Sequence, residues 1–301
     1  MKIIRPMTVD DAALADSNVP ESDYDEWDVG TEYSLGEVKI YIDTDKHWII
    51  ESLQNSNTGH VPTGEASDTW WLKRGNTNRW KMFDQSVQSQ TENSDSIVVD
   101  VIADGIADGA ALLNVSAATV NITVTDETDG EVYNEDFNMA SDSGIQDWYS
   151  YFFEPIVRLS DLAVTDLPPY AGATVTVTLT DTGGTAKCGA LILGQFRQLG
   201  QTQYGMGLSI DDYSVKTQDD FGNYTILERA YRRRSDITMS VDNGFVDQLH
   251  TTLASFRAEP TVYIGSDSFG ASIVYGFYKS FNINVAFVSH SICTLELEGL
   301  T

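Results

Sequence analysis

Aromatic side chains are the residues in this chain that most clearly suggest a chemistry. Five of its six tryptophans lie in roughly the first quarter of the sequence, together with Tyr24, Tyr33 and Tyr41. Exposed aromatic faces stack on the apolar faces of sugar rings, while nearby amides and carboxylates bond the hydroxyls. A module of ~50 residues is too small to bury all of these rings. We therefore predict a carbohydrate-binding platform among Trp27, Tyr33, Trp48, Trp70 and Trp71.

Packing is the alternative explanation for these rings. In that case Tyr33, Trp48 and Trp71 form a small core, and only the remaining rings face solvent.

Catalytic arrangements are missing from the sequence. The four histidines are scattered over different segments, with no HExxH or other metal-ligand spacing, and no GxxxxGK[ST], GxGxxG or GxSxG motif occurs. A carboxylate pair for glycoside hydrolysis stays open, because only its spatial separation would identify it. We predict no catalytic residues and no enzymatic activity.

Metal and thiol chemistry are also weakly indicated. The acidic turns at Asp100, Asp104, Asp108 and residues 126–130 offer oxygen ligands for a structural Ca²⁺, yet they lack the EF-hand spacing, and hairpin turns explain them as well. No other cofactor and no dedicated metal site are predicted. Cys188 and Cys293 lack any CxxC or His-paired spacing, which predicts two buried free thiols.

The net charge of -27 argues against nucleic acid as a partner, since such binding depends on Lys and Arg displacing counterions from phosphates. The first seven residues lack an apolar run of signal-peptide length, and no later segment approaches the ~20 apolar residues of a membrane span. We expect a protein made in a cytoplasm, with no membrane span.

The pattern along the 301 residues predicts a mainly β protein of several modules. Residues 12–28 are polar and acidic, which favours an N-terminal arm. Short strands separated by Asp-Gly and Gly-Gly turns, such as 97–102, 119–124, 173–179 and 190–193, predict a β-sandwich. The predicted divisions are an arm (1–22), an aromatic-rich module (23–75), a jelly-roll-like sandwich (76–200) and an assembly domain (201–301).

The last third predicts strands around one helix. Apolar residues recur at three- and four-residue steps over residues 243–257, as in an amphipathic helix. Strands are predicted at 235–241, 261–264, 272–278, 281–287 and 292–297.

Several residues of the aromatic segment together resemble a known pattern. Trp27, residues 33–38, residues 46–52, Pro62 and the pair Trp70-Trp71 look like the type-3 chitin-binding module. That resemblance implies a small three-stranded carbohydrate-binding fold with a sugar platform at Trp27, Tyr33 and Trp70 or Trp71. Trp48 follows an Asp-rich turn, which departs from the family's pattern.

Later segments are similar to virion structural proteins of tailed bacteriophages of the siphophage type. The resemblance lies in residues 75–84, 147–153 and 167–172, and in the strand–helix–hairpin order that ends at residues 298–301. It implies a jelly-roll-like sandwich and a C-terminal tail-tube-like sandwich with one flanking helix, as in distal tail and baseplate proteins.

The resemblance also implies a function. The chain is expected to be a virion component of the tail tip or baseplate, assembled in the host cytoplasm. It would form a homo-oligomeric ring of three or six copies with other tail proteins, and display carbohydrate-binding-like modules for attachment to host-surface polysaccharide. The alternatives are a free-standing polysaccharide-binding accessory protein and, third, a glycan-cleaving tail enzyme.

A dense basic cluster agrees with an assembly function. Arg229, Arg232, Arg233 and Arg234 stand out on an acidic chain and are predicted to pair with acidic surfaces of neighbouring subunits. The alternative is a strand edge with solvated guanidinium groups.

Overall fold

The chain folds mainly into β-strands, as the alternating apolar pattern predicts. A computed structural model describes residues 1–141, 147–153, 157–218 and 220–300. Within these ranges the strands are, in chain order, β1 Lys2–Pro6, β2 Leu14–Ser17, β3 Val38–Asp43, β4 Lys46–Ser52, β5 Trp71–Asn76, β6 Thr91–Ile102, β7 Gly109–Leu113, β8 Thr119–Asp126, β9 Gly130–Asn138, β10 Leu162–Val164, β11 Thr174–Cys188, β12 Ala190–Gln198, β13 Gln201–Thr202, β14 Gly207–Asp212, β15 Val215–Gln218, β16 Tyr224–Leu227, β17 Tyr231–Asp242, β18 Thr261–Ile264, β19 Ile273–Asn284 and β20 His290–Gly299.

Helices are few and short in the same ranges. The α-helices are α1 Ser67–Trp70, α2 Trp148–Phe153 and α3 Val246–Ser255, and 3₁₀ turns occupy Asn78–Phe83, Asn243–Phe245 and Gly270–Ser272. None of the helices in the described part of the chain has the length and apolar character needed to cross a membrane.

The largest sheet has ten antiparallel strands in the order β10-β7-β12-β1-β18-β19-β20-β17-β13, with β14 also paired to β17. The sheet therefore includes strands from both the predicted sandwich (76–200) and the predicted assembly domain (201–301). Strand β1 joins the two parts, because it pairs with β12 on one side and β18 on the other. Gly194 of β12 allows this approach, since a Cβ there would overlap the carbonyl oxygen of Arg5.

The N-terminal arm predicted for residues 1–22 is therefore corrected by the structure. Ile3 and Ile4 of β1 are fully buried, and β2 pairs with β6. Two adjacent apolar residues produce no visible periodicity, and their pairing partners lie about 190 residues or more away along the chain, so the sequence pattern does not reveal this strand.

The ten-stranded sheet is buried on both faces at its strands β7 and β12. Leu112 and Leu191 pack into the core shared with the five-stranded sheet β2-β6-β11-β8-β9. Leu113 and Ile192 point to the opposite face and pack with Val262 of β18. Burial on both faces explains why β7 is apolar or small at every position.

The five-stranded sheet is buried on one face only. Val120, Ile122 and Val124 of β8 alternate with exposed or half-buried polar residues, as do the valines of β11. This alternation places apolar side chains in the core and polar ones in solvent, as the predicted sandwich requires.

The amphipathic helix is confirmed, with shorter bounds. Helix α3 buries Leu249 and Leu253 against the sheet, and Phe256 follows directly after its last turn. Before it, the Asp242 carboxylate accepts a 2.8 Å bond from the Gly244 N–H, which caps the preceding 3₁₀ turn. The strands predicted at 272–278 and 281–287 form one strand, β19, with an irregularity between Tyr278 and Ser280.

Candidate functional site

The aromatic module is a three-stranded sheet, β3-β4-β5, whose small core is aromatic. Tyr33, Tyr41, Ile50 and Trp71 are buried together, with Trp27, Trp48 and Trp70 packed against them. Such a small sheet has few positions for a core, so large rings fill them.

Tyr33 and Trp71 are structural residues, which corrects their prediction as platform rings. They are 2% and 4% exposed and meet edge to face at 5.3 Å. The Tyr33 hydroxyl accepts a 2.6 Å bond from the Asp28 N–H and donates to the Asp28 carbonyl, and Trp71 Nε1 donates to the carbonyl of His60. Neither ring has a free face for a sugar.

Three candidate rings keep partial exposure. Trp27 lies edge-on to Tyr41, and the ammonium group of Lys73 lies 4.1 Å from the Trp48 ring centroid. Trp70 stacks on His60 with the ring centroids 3.6 Å apart and an 11° interplanar angle. The half-buried Trp70–His60 pair is thus a flat aromatic surface of this module.

His47 attaches the module to two other segments, a role that the sequence did not predict. Its Nδ1 lies 2.8 Å from Glu21 Oε1, its Nε2 lies 2.5 Å from Asp11 Oδ1, and its ring stacks on Trp80 at 4.4 Å. A neutral imidazole donates from one nitrogen, so only the protonated ring donates to both carboxylates. Spacing in the sequence gives no sign of this group, because its members come from three separate segments.

Three of the four arginines in the basic cluster lie on β17 and pair within the chain. Arg232 donates to Asp211 and Glu298, at 2.8 and 3.0 Å, and Arg234 donates to Glu296 at 2.7 Å. Hydrogen bonding from Arg232 is the main effect that lowers the pKa of Asp211. The pKa of Glu296 is lowered first by Lys279 and then by Arg234.

Arg233 points to the other face of β17 and meets a buried carboxylate. Its Nη2 lies 2.7 Å from Asp161 Oδ2, and the Asp161 side chain is only 4% exposed. The hydroxyl of Ser160 donates to the same oxygen.

Carboxylates of this chain thus pair with Arg232, Arg233 and Arg234, and the contact of these arginines with neighbouring subunits stays a prediction. Arg229 differs. It is exposed, and among the described residues no carboxylate lies within ion-pair distance of its guanidinium group.

One strongly exposed apolar segment is a hairpin that we call the apolar arm, residues 213–218 and 220–230. Its strands β15 and β16 pair with each other and, among the described residues, with no other strand. Every residue of both strands is exposed, including Tyr224 at 65%, Ile226 at 66% and Leu227 at 55%. At its base, a hydrogen bond from Ser214 is the main cause that lowers the pKa of Asp212 to about 2.

Charge distinguishes the arm from other open strands. Strands β15 and β16 contain no acidic residue, although the chain has 45. The open edge strand β9 instead carries Glu131, Glu135 and Asp136, which discourage pairing with another chain. The arm strands carry a single charge, Lys216, and the sequence pattern did not predict them because each strand is only four residues long.

The predicted acidic turns serve as hairpin and strand contacts. Asp126 Oδ1 accepts from the N–H groups of Thr128 and Asp129, and Gly130 closes the β8–β9 turn with φ of 76°. Asp100 accepts from Thr176, and Asp108 accepts from the Phe196 N–H. Within the described ranges, no three His, Cys, Asp or Glu side chains are grouped to hold a metal ion.

The two cysteines are buried free thiols, as predicted. Burial raises the pKa of Cys188 to about 12 and that of Cys293 to about 11, so neither thiol is a nucleophile near neutral pH.

Residues 147–153 carry part of the resemblance to phage proteins and include α2, whose Trp148, Tyr149, Phe152 and Phe153 side chains are all more than 60% exposed. No protein-family model, no curated protein and no solved structure matches this chain.

Proposed function

We propose that this chain is a structural subunit that self-associates through its apolar arm and carries the aromatic module as a recognition element. By its resemblance to tailed-phage virion proteins, the assembly would be a ring of three or six copies in a tail tip or baseplate. The observation that carries the proposal is the exposure of Val215, Tyr224, Ile226 and Leu227 on two hairpin strands, β15 and β16, that contain no acidic residue, on a chain of charge -27. Exposed apolar patches of this kind mark interaction surfaces.

Other open strands of the same chain support the proposal. Edge strands are a hazard that proteins usually reduce with charges, as β9 does. The arm strands carry a single charge, Lys216, and β14 exposes Leu208 and Ile210 beside Asp211 and Asp212. An exposed apolar surface with so little charge on its strands is best explained by a partner that covers it in the assembled state.

Substitution of the arm tests the proposal. We expect the wild-type chain to form a defined oligomer, and Tyr224→Ser with Ile226→Ser to weaken self-association by ~100-fold or more. Burying each apolar side chain contributes about 1.5–3 kcal/mol, and 1.4 kcal/mol is tenfold in affinity. Sedimentation velocity over a concentration series measures the change.

Phe269→Ser is the matched control, since Phe269 is 59% exposed on a loop outside the arm. It should leave the oligomer intact. A wild-type chain that stays monomeric at all concentrations, or an arm variant that assembles like the wild type, would contradict the proposal.

Host-glycan attachment is the second part of the proposed function, and the Trp70–His60 pair supports it. Stacked flat rings at a half-exposed position suit the apolar face of a sugar. We expect Trp70→Ala to weaken binding to N-acetylglucosamine oligomers about fivefold or more, measured by calorimetry. Leu35→Ser, at a 61% exposed position of the same module, is the control. Equal affinity of Trp70→Ala and wild type would leave that ring as packing.

A further inference from the structure

A second exposed apolar surface lies in the C-terminal part of the chain. We call it the turn patch, and it consists of Phe245, Val285, Phe287 and Val288, which are 53% to 101% exposed. Residues 285–289 between β19 and β20 contain no charged side chain. Phe245 comes from the predicted amphipathic helix, yet the fold directs it into solvent instead of the core.

The turn patch is held in a defined shape. Asn243 Nδ2 donates to the carbonyls of Phe287 and Val288 at 2.9 and 2.8 Å, and its amide oxygen accepts from Ser291 at 2.6 Å. Phe287 stacks on His290 with ring centroids 4.5 Å apart. Such prior ordering lowers the entropy lost when a partner binds.

An open groove of about 570 Å³ adjoins the patch. Phe245, Leu249 and Val241 supply its apolar wall, and His290 and Arg197 lie among its polar lining residues. Asp242 also lines the groove, whereas residues 285–289 of the adjoining turn carry no charge.

The arm and the turn patch lie at opposite ends of one strand. Asp212, at the base of the arm, pairs with Tyr231 at the start of β17, and His290, beside the patch, pairs with Asp242 at its end. The twelve residues of β17 separate the two surfaces by about 35 Å at a rise of ~3.3 Å per residue. One subunit therefore cannot readily bring its own arm and patch together.

We propose that the turn patch of one copy receives the apolar arm of the next copy, in a head-to-tail interface. The inference rests on the proposed self-association and identifies the second half of that contact. Two different patches that join in this way form a heterologous interface, which closes into a ring or continues as a filament. Identical copies supply both surfaces in equal number, and neither the arm strands β15 and β16 nor residues 285–289 carry an acidic side chain that would add like-charge repulsion at the contact.

Mixing two deficient variants tests this interface. The arm variant is Tyr224→Ser with Ile226→Ser, and the patch variant is Phe287→Ser with Val288→Ser. All four side chains are exposed, and circular dichroism verifies that both variants fold. Each variant alone should be monomeric, with association at least ~100-fold weaker than wild type. An equimolar mixture should form a 1:1 dimer and stop there, because it holds one intact arm surface and one intact patch per pair.

The outcomes separate this inference from the proposed function. A mixture that stays monomeric, or a patch variant that assembles like the wild type, overturns the head-to-tail contact while leaving self-association through the arm in place. An arm variant that assembles like the wild type overturns both. Phe269→Ser in either background should change nothing. Mass photometry counts the subunits in each case.

Discussion

At the scale of single residues, burial decides which predicted side chains are available for function. Trp71 and Tyr33 have the residue types of a sugar platform, but they are buried and hydrogen-bonded, and they serve the module core. Arg233 has the residue type of an intermolecular contact, but Asp161 pairs with it. In both cases the fold uses the aromatic or charged side chain for contacts within the chain.

The Arg233–Asp161 pair leads to a prediction about stability. Removing one partner of a nearly buried ion pair leaves an uncompensated charge, which costs ~3–5 kcal/mol when both groups are buried. Because Arg233 keeps 27% exposure, we expect Arg233→Met to lower the free energy of unfolding by about 2–3 kcal/mol in urea titrations. Arg229→Met, at an exposed position, should change it by less than ~0.5 kcal/mol. Equal effects of the two substitutions would show that the Asp161 pair has no special stabilising role.

At the scale of elements, the two proposed assembly surfaces lie at the two ends of strand β17. Strand β17 carries arginines that alternate between its two faces, and β14 and β20 supply the carboxylates that pair with Arg232 and Arg234. These ion pairs add to the backbone pairing that holds β14 beside β17. The arm that follows β14 has no such attachment, so its apolar side chains stay exposed. The arm and the turn patch lie at opposite ends of the twelve-residue strand β17, so they form separate surfaces.

At the scale of the whole molecule, β1 connects the sandwich and the C-terminal part. Its central position means that the ten-stranded sheet is continuous across residues 200 and 201. Ile4 packs with residues of β12 on one side and of β18 and β19 on the other, in one shared core. The sheet therefore links segments that the sequence pattern separates.

Substitution of Ile4 tests this connection. Ile4→Ala removes a fully buried side chain and should cost ~2–5 kcal/mol, because both the transfer free energy and the cavity oppose folding. We expect amide hydrogen exchange to accelerate in β7 and β12 and in β18 and β19 together. Loss of protection in only one of these pairs would show that the two parts fold independently. Ile226→Ala, on the exposed arm, is the control and should leave all four strands unchanged.

The sequence by itself determined the local features of this protein. Alternating apolar residues predicted β8, β11 and β17, three- and four-residue spacing predicted α3, and the isolated cysteines predicted buried thiols. These features are readable because each depends on neighbours within about ten residues. The net charge is likewise a sum over residues that needs no fold.

Only the tertiary structure decided where those elements meet. It inserted β1 between strands about 190 or more residues away, paired Arg233 with Asp161, buried Tyr33 and Trp71, and placed the arm and the turn patch at opposite ends of β17. Residue types along the chain carry no record of such distant pairings, because many partners are chemically equivalent and packing selects among them. The surfaces that remain uncovered, on which the proposed assembly depends, are therefore a property of the folded chain.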